Sequence, residues 1–188
     1  MKSMSLFLLV FSFSNLVSAA PVSELFEELK ESGANYDIIG MVCEKVAVIE
    51  LEKIYPAKDY DIVNGIVYGD SSRTIGELDV VIFDKRSQDA VLVGEVKCWK
   101  SFSGARAKAH DQRQRFQKNL GRKISMQDGD NHQYDTRQFR NVQRYVAIAQ
   151  KGAKANGFDI ELENTLGELM DLRGLLMKCQ SQGRCPRH

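Results

Sequence analysis

The stretch that most constrains this chain is Gly76–Trp99, GELDVVIFDKRSQDAVLVGEVKCW. Two short apolar runs, 78–83 and 90–96, flank a polar loop from Asp84 to Asp89, which predicts a β-hairpin with a longer turn. Their Val, Ile and Leu content predicts strands buried near the centre of a sheet. Charges nonetheless interrupt both runs: Glu77 and Asp79 in the first, Glu95 and Lys97 in the second. Side chains alternate faces along a strand, so Glu77 shares a face with Asp79, and Glu95 with Lys97. Folding the hairpin about its loop sets Asp79 opposite Gly94, one residue from Glu95. A bulge at Gly94 would close that gap, since Gly inside a strand often marks one. Two carboxylates and an ammonium then meet on a mostly apolar sheet, where charges pair with each other or coordinate a metal. The plain outcome is a cross-strand salt bridge from Lys97 to Asp79 or Glu95. The chemical alternative is a hard divalent cation such as Mg²⁺ or Mn²⁺, which oxygen ligands suit.

A family resemblance favours the metal. Asp79, fifteen intervening residues, then Glu95-Val96-Lys97 resembles the signature of the PD-(D/E)XK nuclease superfamily, which has an Asp on one strand of a hairpin and Glu-x-Lys on the next. The resemblance implies a restriction-endonuclease-like α/β core: a helix, a three-stranded meander, a second helix and a further strand, with a mixed central sheet flanked by helices. It covers roughly residues 37–150. It also implies a catalytic set of Glu44, Asp79, Glu95 and Lys97, and a Mg²⁺ or Mn²⁺ ion held by Asp79, Glu95, the backbone carbonyl of Val96, and Glu44. Glu44 enters because Gly40-x-x-x-Glu44 looks like the superfamily's first-helix glutamate. It also sits in the apolar stripe Met41, Ala47, Val48, Leu51 of a helix expected over Tyr36–Tyr55, which Pro56 ends. Glu50 and Glu52 point elsewhere on that wheel.

At 188 residues the chain is long enough for one domain with a real core, and its 43% hydrophobic and 27% charged content is that of a globular protein. Residues 1–19 read as a signal peptide: Lys2, an apolar run Leu6–Val17, then Val17-Ser18-Ala19 for the peptidase. No Cys follows the run, which argues against a lipoprotein. The single domain is then 20–188, secreted or periplasmic and free of the membrane. The four cysteines fit an oxidising compartment. Of three possible connectivities the favoured one is Cys179–Cys185 with Cys43–Cys98. The second bond has an objection against it, because strand alternation turns Cys98 away from the Lys97 face.

Ser23 is the expected cap of a first short helix, stopped by Gly33. Tyr60–Tyr68 should be the first strand, with Asn64-Gly65 a turn or kink in it. Ala105–Leu120 should be helix, Tyr145–Ala149 and Phe158–Leu162 strands, and Leu166–Lys178 helix.

The net charge of +1 conceals a separation. Residues 24–95 hold 16 acidic and 7 basic side chains, whereas 97–123 hold 9 basic and one acidic. Arg106, Lys108, Arg113, Arg115 and Lys118 follow the carboxylates directly and are the candidate nucleic-acid contacts. A solvated helix face is the bland alternative, but beside an acidic metal site a basic helix would hold backbone phosphates. His110, His132 and His188 have no ligand or triad spacing, and no GxSxG, HExxH or phosphate-binding glycine loop occurs. Gln112 and Phe116 faintly resemble the QxxxY helix motif of some nucleases in the superfamily. The expectation is an exported metal-dependent nuclease, with DNA ahead of RNA as substrate and endonuclease ahead of exonuclease. The alternatives are a non-catalytic nucleic-acid-binding module of the same fold, or an RNA-cleaving toxin.

Overall fold

A computed structural model of the chain describes residues 21–187; the expected signal peptide lies outside the described residues. Helices α1 (Val22–Leu29) and α2 (Met41–Glu52) precede a meander of β1 (Tyr60–Gly69), β2 (Thr74–Asp84) and β3 (Ala90–Val96). Helix α3 (Phe102–Asn119), β4 (Ser125–Gln127), β5 (Arg144–Ala149), β6 (Ile160–Glu161) and α4 (Leu166–Ser181) follow. The fold is α/β, with one six-stranded mixed sheet in the order β4-β1-β2-β3-β5-β6. The meander is antiparallel, while β5 runs parallel to β3 and β6 parallel to β5. The β3–β5 connection passes over the sheet through α3, as a parallel crossover requires.

Each face of the sheet is covered by its own helices. Leu25, Val42, Val46, Leu51, Leu169, Leu172 and Leu176 bring α1, α2 and α4 onto Val80, Ile82, Leu92, Val96, Val146 and Ile148. On the other face Phe116 of α3 and Phe139 of a 3₁₀ turn (Thr136–Phe139) pack with Ile66, Tyr68, Leu78, Val81, Phe83 and Val93. These lists hold a departure from simple alternation. Val80 and Ile82 lie under α2, yet Leu78 lies under α3; in β1, Ile62 lies under α2, yet Ile66 and Tyr68 lie under α3. The alternation slips at the Gly65–Asp79 level. Gly65 is the reason, since its φ of +79° belongs to the left-handed region that side chains rarely adopt. The Asn64-Gly65 pair is thus a kink inside a continuous strand.

The register corrects the expected position of Asp79. Val80 pairs with Gly94, so Asp79 and Glu95 are the next positions on either strand with no bulge between them. The irregularity is at the other end of the hairpin, where Ile82 pairs with Leu92 and Phe83 with Ala90, leaving Val91 extra. Gly94 serves close packing instead: a Cβ there would stand 2.9 Å from Val80 and 3.1 Å from Ile148.

Local signals set the helix ends only in part. Ser101 caps α3 by accepting from the Gly104 N–H, and Thr165 with Glu168 forms a capping box on α4. Ser23 is no cap; it lies inside α1, whose N-cap is Pro21. Helix α2 begins at Met41, not Tyr36. The carbonyls of Tyr36 and Asp37, which a longer helix would use, accept 2.8 Å hydrogen bonds from the Arg173 guanidinium of α4. A tertiary contact has overridden local propensity.

Glu50 points away from Glu44, as its place on the helical wheel suggested. Its Oε1 accepts a 3.0 Å bond from the Glu163 N–H, and burial, opposed by that bond, pushes its pKa up to about 7. A carboxylate raised in the folded state adds stability in full below its unfolded value near 4.5, and that stability is lost as the pH climbs through 7. Glu50→Gln keeps the acceptor and removes the charge. It should therefore stabilise the protein at pH 8, by on the order of 1 kcal/mol once partial exposure is discounted, and change nothing at pH 4. Urea melts at the two pH values check this; equal stabilities at pH 8 would contradict it.

Candidate metal centre

The carboxylates lie where two strands part. Below Val80 and Gly94, β2 continues against β1 as far as Thr74, while β3 follows β5. The Val96 N–H consequently has no partner on β2's backbone and instead donates to Asp79 Oδ2 at 2.7 Å. The Lys97 ammonium reaches the same Oδ2 at 2.5 Å, the Val96 carbonyl at 3.0 Å and Glu95 Oε2 at 3.5 Å. Asp79 and Glu95 are 5% and 3% exposed, so this is charge held inside the protein. At 3.5 Å the Glu95 ion pair falls short of a hydrogen bond, and both Glu95 oxygens are buried without a hydrogen-bond partner. A buried acceptor left in that state is costly.

Glu44 approaches from α2. A Cβ on Gly40 would stand 3.1 Å from its Oε1, so the glycine four residues earlier leaves room for the carboxylate to fold back along the helix. Its Oε2 accepts from Asn64 Nδ2 at 3.3 Å, and the same amide donates to the Asp79 carbonyl at 2.7 Å. Asn64 therefore links helix and sheet at the kink. It was not among the residues expected in the site, although the Asn64-Gly65 pair was visible in the sequence. Glu77 is exposed, with an oxygen 3.1 Å from where a Gly65 side chain would begin.

The electrostatics follow from this crowding. Burial first, then the Asp79 charge, raises Glu44 to about 7 against the opposing Asn64 bond. The same two causes raise Glu95 to about 8, opposed by Lys97. Burial pulls the Lys97 ammonium down, but Asp79, Glu95 and Glu44 together outweigh it and its pKa stands above the ordinary lysine value. One ammonium thus faces three carboxylates, and the centre lacks positive charge.

Whether a cation fits can be judged from the donors. No group of three or more His, Cys, Asp and Glu side chains is arranged to hold a metal among the described residues. The acceptors that do converge are two carboxylate oxygens and a carbonyl: Asp79 Oδ2, Glu95 Oε2 and Val96 O. They already surround one cationic atom, Lys97 Nζ, and Glu95 has acceptor capacity to spare. Oxygen donors are the type a hard cation takes, but in this structure these three hold the Lys97 ammonium.

One of the two disulfides adjoins this arrangement. Cys43, next to Glu44, is bonded to Cys98, next to Lys97, with Cα atoms 6.3 Å apart. The alternation that turns Cys98 from the Lys97 face is what carries it to α2, where Cys43 is buried. Cys179–Cys185 closes the C-terminal tail. Two disulfides point to an oxidising environment.

The basic side chains of α3 divide between two clefts, neither lined by the carboxylate cluster. Arg106 and Arg113, with His110 and Asp159, line one of about 480 Å³. Arg106 lies over Gly157, where a Cβ would collide with the guanidinium. Arg115 and Lys118 line the other, about 390 Å³, with Arg73, Arg122 and Asp70. Arg73 comes from the turn after β1 and was not expected there. Lys108 is exposed and lines neither cleft. Gln112 keeps a buried, unpaired Oε1 on α3, while Phe116 belongs to the core and packs edge-on against Tyr68. Comparisons with protein-family models, with curated proteins and with solved structures give no match.

Proposed function

We propose that the chain is an exported, divalent-metal-dependent nuclease with a restriction-endonuclease-like core, cleaving DNA in preference to RNA and internally rather than from ends. The observation that carries this is the fork between β2 and β3, where Asp79 Oδ2, Glu95 Oε2 and Val96 O gather around the Lys97 ammonium and Glu95 lacks hydrogen bonds. The order helix, meander, helix, strand along α2, β1–β3, α3 and β5 supports the same reading. Two disulfides support secretion or a periplasmic location.

Asp79, Glu95 and the Val96 carbonyl would hold Mg²⁺ or Mn²⁺, with Glu44 alongside. The ion supplies charge neutralisation at the scissile phosphate and a lowered pKa for a bound water. The protein's own groups do the rest. Lys97 Nζ donates to the attacking water or to the oxygen on which charge develops. Glu44, whose Oε2 accepts from Asn64 Nδ2, would complete the ion's surroundings from the helix side. Arg115, Lys118, Arg73 and Arg122 in one cleft, and Arg106 and Arg113 in the other, would hold phosphates.

A second reading, a module that binds nucleic acid without cutting it, draws on the short Lys97–Asp79 contact, which closes the acidic centre on itself. One assay separates the two. Mature protein incubated with plasmid, linear and single-stranded DNA and with RNA should cleave in Mg²⁺ or Mn²⁺ and stop in EDTA. Binding without cleavage under any divalent ion would favour the module and reject the nuclease.

A further inference from the structure

Trp99 is the chain's one tryptophan, and at 43% exposed it is the one aromatic residue among the large exposed hydrophobics of the described residues. The other large apolar groups in that class are aliphatic: Ile38, Ile39, Ile54 and Leu175. Most rings of the described residues pack against one another, as in the Tyr68, Phe116 and Phe139 chain of edge-on contacts and in Phe83 with Tyr134. The indole face is therefore open to a planar ligand.

This residue sits beside the proposed cleavage centre. Trp99 follows Lys97 by two residues, a separation of at most about 7 Å between Cα atoms. The segment is firmly held. The Lys97 N–H donates to the Ile148 carbonyl at 2.9 Å, Cys98 is tied to α2, and the Trp99 carbonyl accepts from Gln150 Nε2 at 2.8 Å. The ring rests against the first turn of α3, where a Cβ on Gly104 would stand 3.9 Å from Cε3. An exposed aromatic face on a firmly held backbone, with exposed Lys100 next to it, meets what a nucleobase and its phosphate need. Bases inside a duplex already stack on their neighbours and offer no free face, whereas an unpaired base does.

We propose that Trp99 is a stacking platform for an unpaired base flanking the scissile phosphate, so that the substrate class of this site is single-stranded or locally unpaired nucleic acid. This rests on the nuclease reading above and adds a strand preference to it. The ring binds and orients; it takes no part in bond breaking.

A single tryptophan makes the test direct. Full-length mature protein in EDTA is titrated with three labelled oligonucleotides: a single strand, the same strand with one abasic position, and a blunt duplex. Anisotropy reads binding, and tryptophan emission reads stacking. The single strand should quench the emission strongly and the duplex weakly. Trp99→Ala should raise Kd for the single strand about tenfold while shifting that for the duplex less than about twofold. Trp99→Phe, which keeps a smaller aromatic face and preserves folding, should recover part of the loss. Single-strand binding seen by anisotropy with unchanged emission, or a loss equal for both forms in Trp99→Ala, overturns the platform and leaves the nuclease reading standing. Absence of binding to all three at low salt, both in EDTA and with Ca²⁺ in its place, overturns both.

Discussion

Glu95→Gln is expected to lower cleavage by about a hundred- to a thousandfold while leaving the protein at least as stable as the parent. The pairing of those two outcomes is what makes the substitution informative. A buried carboxylate that is there only to hold the fold should be well bonded, and its loss should weaken the protein. Glu95 is 3% exposed, both its oxygens lack hydrogen bonds, and burial with the neighbouring Asp79 raises it to about 8. Glutamine keeps the shape and removes the charge, so the fold loses little or gains. The activity figure is what removal of one well-placed electrostatic group costs an enzyme. Asp79→Ala should behave differently and lose stability along with activity. Its Oδ2 is the acceptor for both the Val96 N–H and the Lys97 ammonium, and breaking a buried pair from one side costs about 3–5 kcal/mol. Chemical denaturation in EDTA and plasmid nicking in Mg²⁺ are the two measurements. A folded Glu95→Gln protein that cuts at the parental rate would end the proposed mechanism.

The hairpin was legible because its evidence is local: two Val- and Ile-rich runs, a polar loop of fixed length, and charges at positions that strand periodicity could place. What could not be read depends on distant partners. The Val96 N–H is free to reach Asp79 because β3 runs on beside β5, a strand some fifty residues further on, after its pairing with β2 ends. The kink that turns Leu78 to the other face needs the left-handed Gly65 of β1. Asp79 and Glu95 lie level through the hairpin register. A symmetric folding of the loop missed this by one position, since Val91 bulges near the turn. The start of α2 was misjudged because Arg173, on the last helix, takes the carbonyls of residues 36 and 37. Strand β4, three residues of mixed polarity, carries no periodic signal and exists by pairing with the end of β1. The basic helix was recognised as a charge run. Its division into two clefts, one completed by Arg73, depends on how α3 lies across the sheet.

Removal of the Cys43–Cys98 bond should be the most damaging single change to the fold, and it should reach the centre as well. The bond joins positions 55 residues apart and closes a loop containing β1, β2 and β3. By loop-closure entropy it restricts the unfolded chain by about 4 kcal/mol, against about 2 kcal/mol for Cys179–Cys185, whose partners are six residues apart. Position adds to length. Cys43 adjoins Glu44 and Cys98 adjoins Lys97, so the bond fixes the helix carboxylate relative to the ammonium. Without it, the Asn64 amide is the one side-chain hydrogen bond found between Glu44 and the sheet among the described residues, at 3.3 Å. Cys43→Ala with Cys98→Ala should therefore melt well below Cys179→Ala with Cys185→Ala. It should also cut more slowly at temperatures where both proteins remain folded, because groups that act together tolerate little displacement. Circular dichroism melts and initial cleavage rates at a low temperature separate the two effects. Equal melting temperatures for the two double variants would contradict the loop argument. A Cys43→Ala/Cys98→Ala protein that is less stable yet cleaves at the parental rate while folded would mean that Glu44 and Lys97 are held in place by the packing of α2 on the sheet alone.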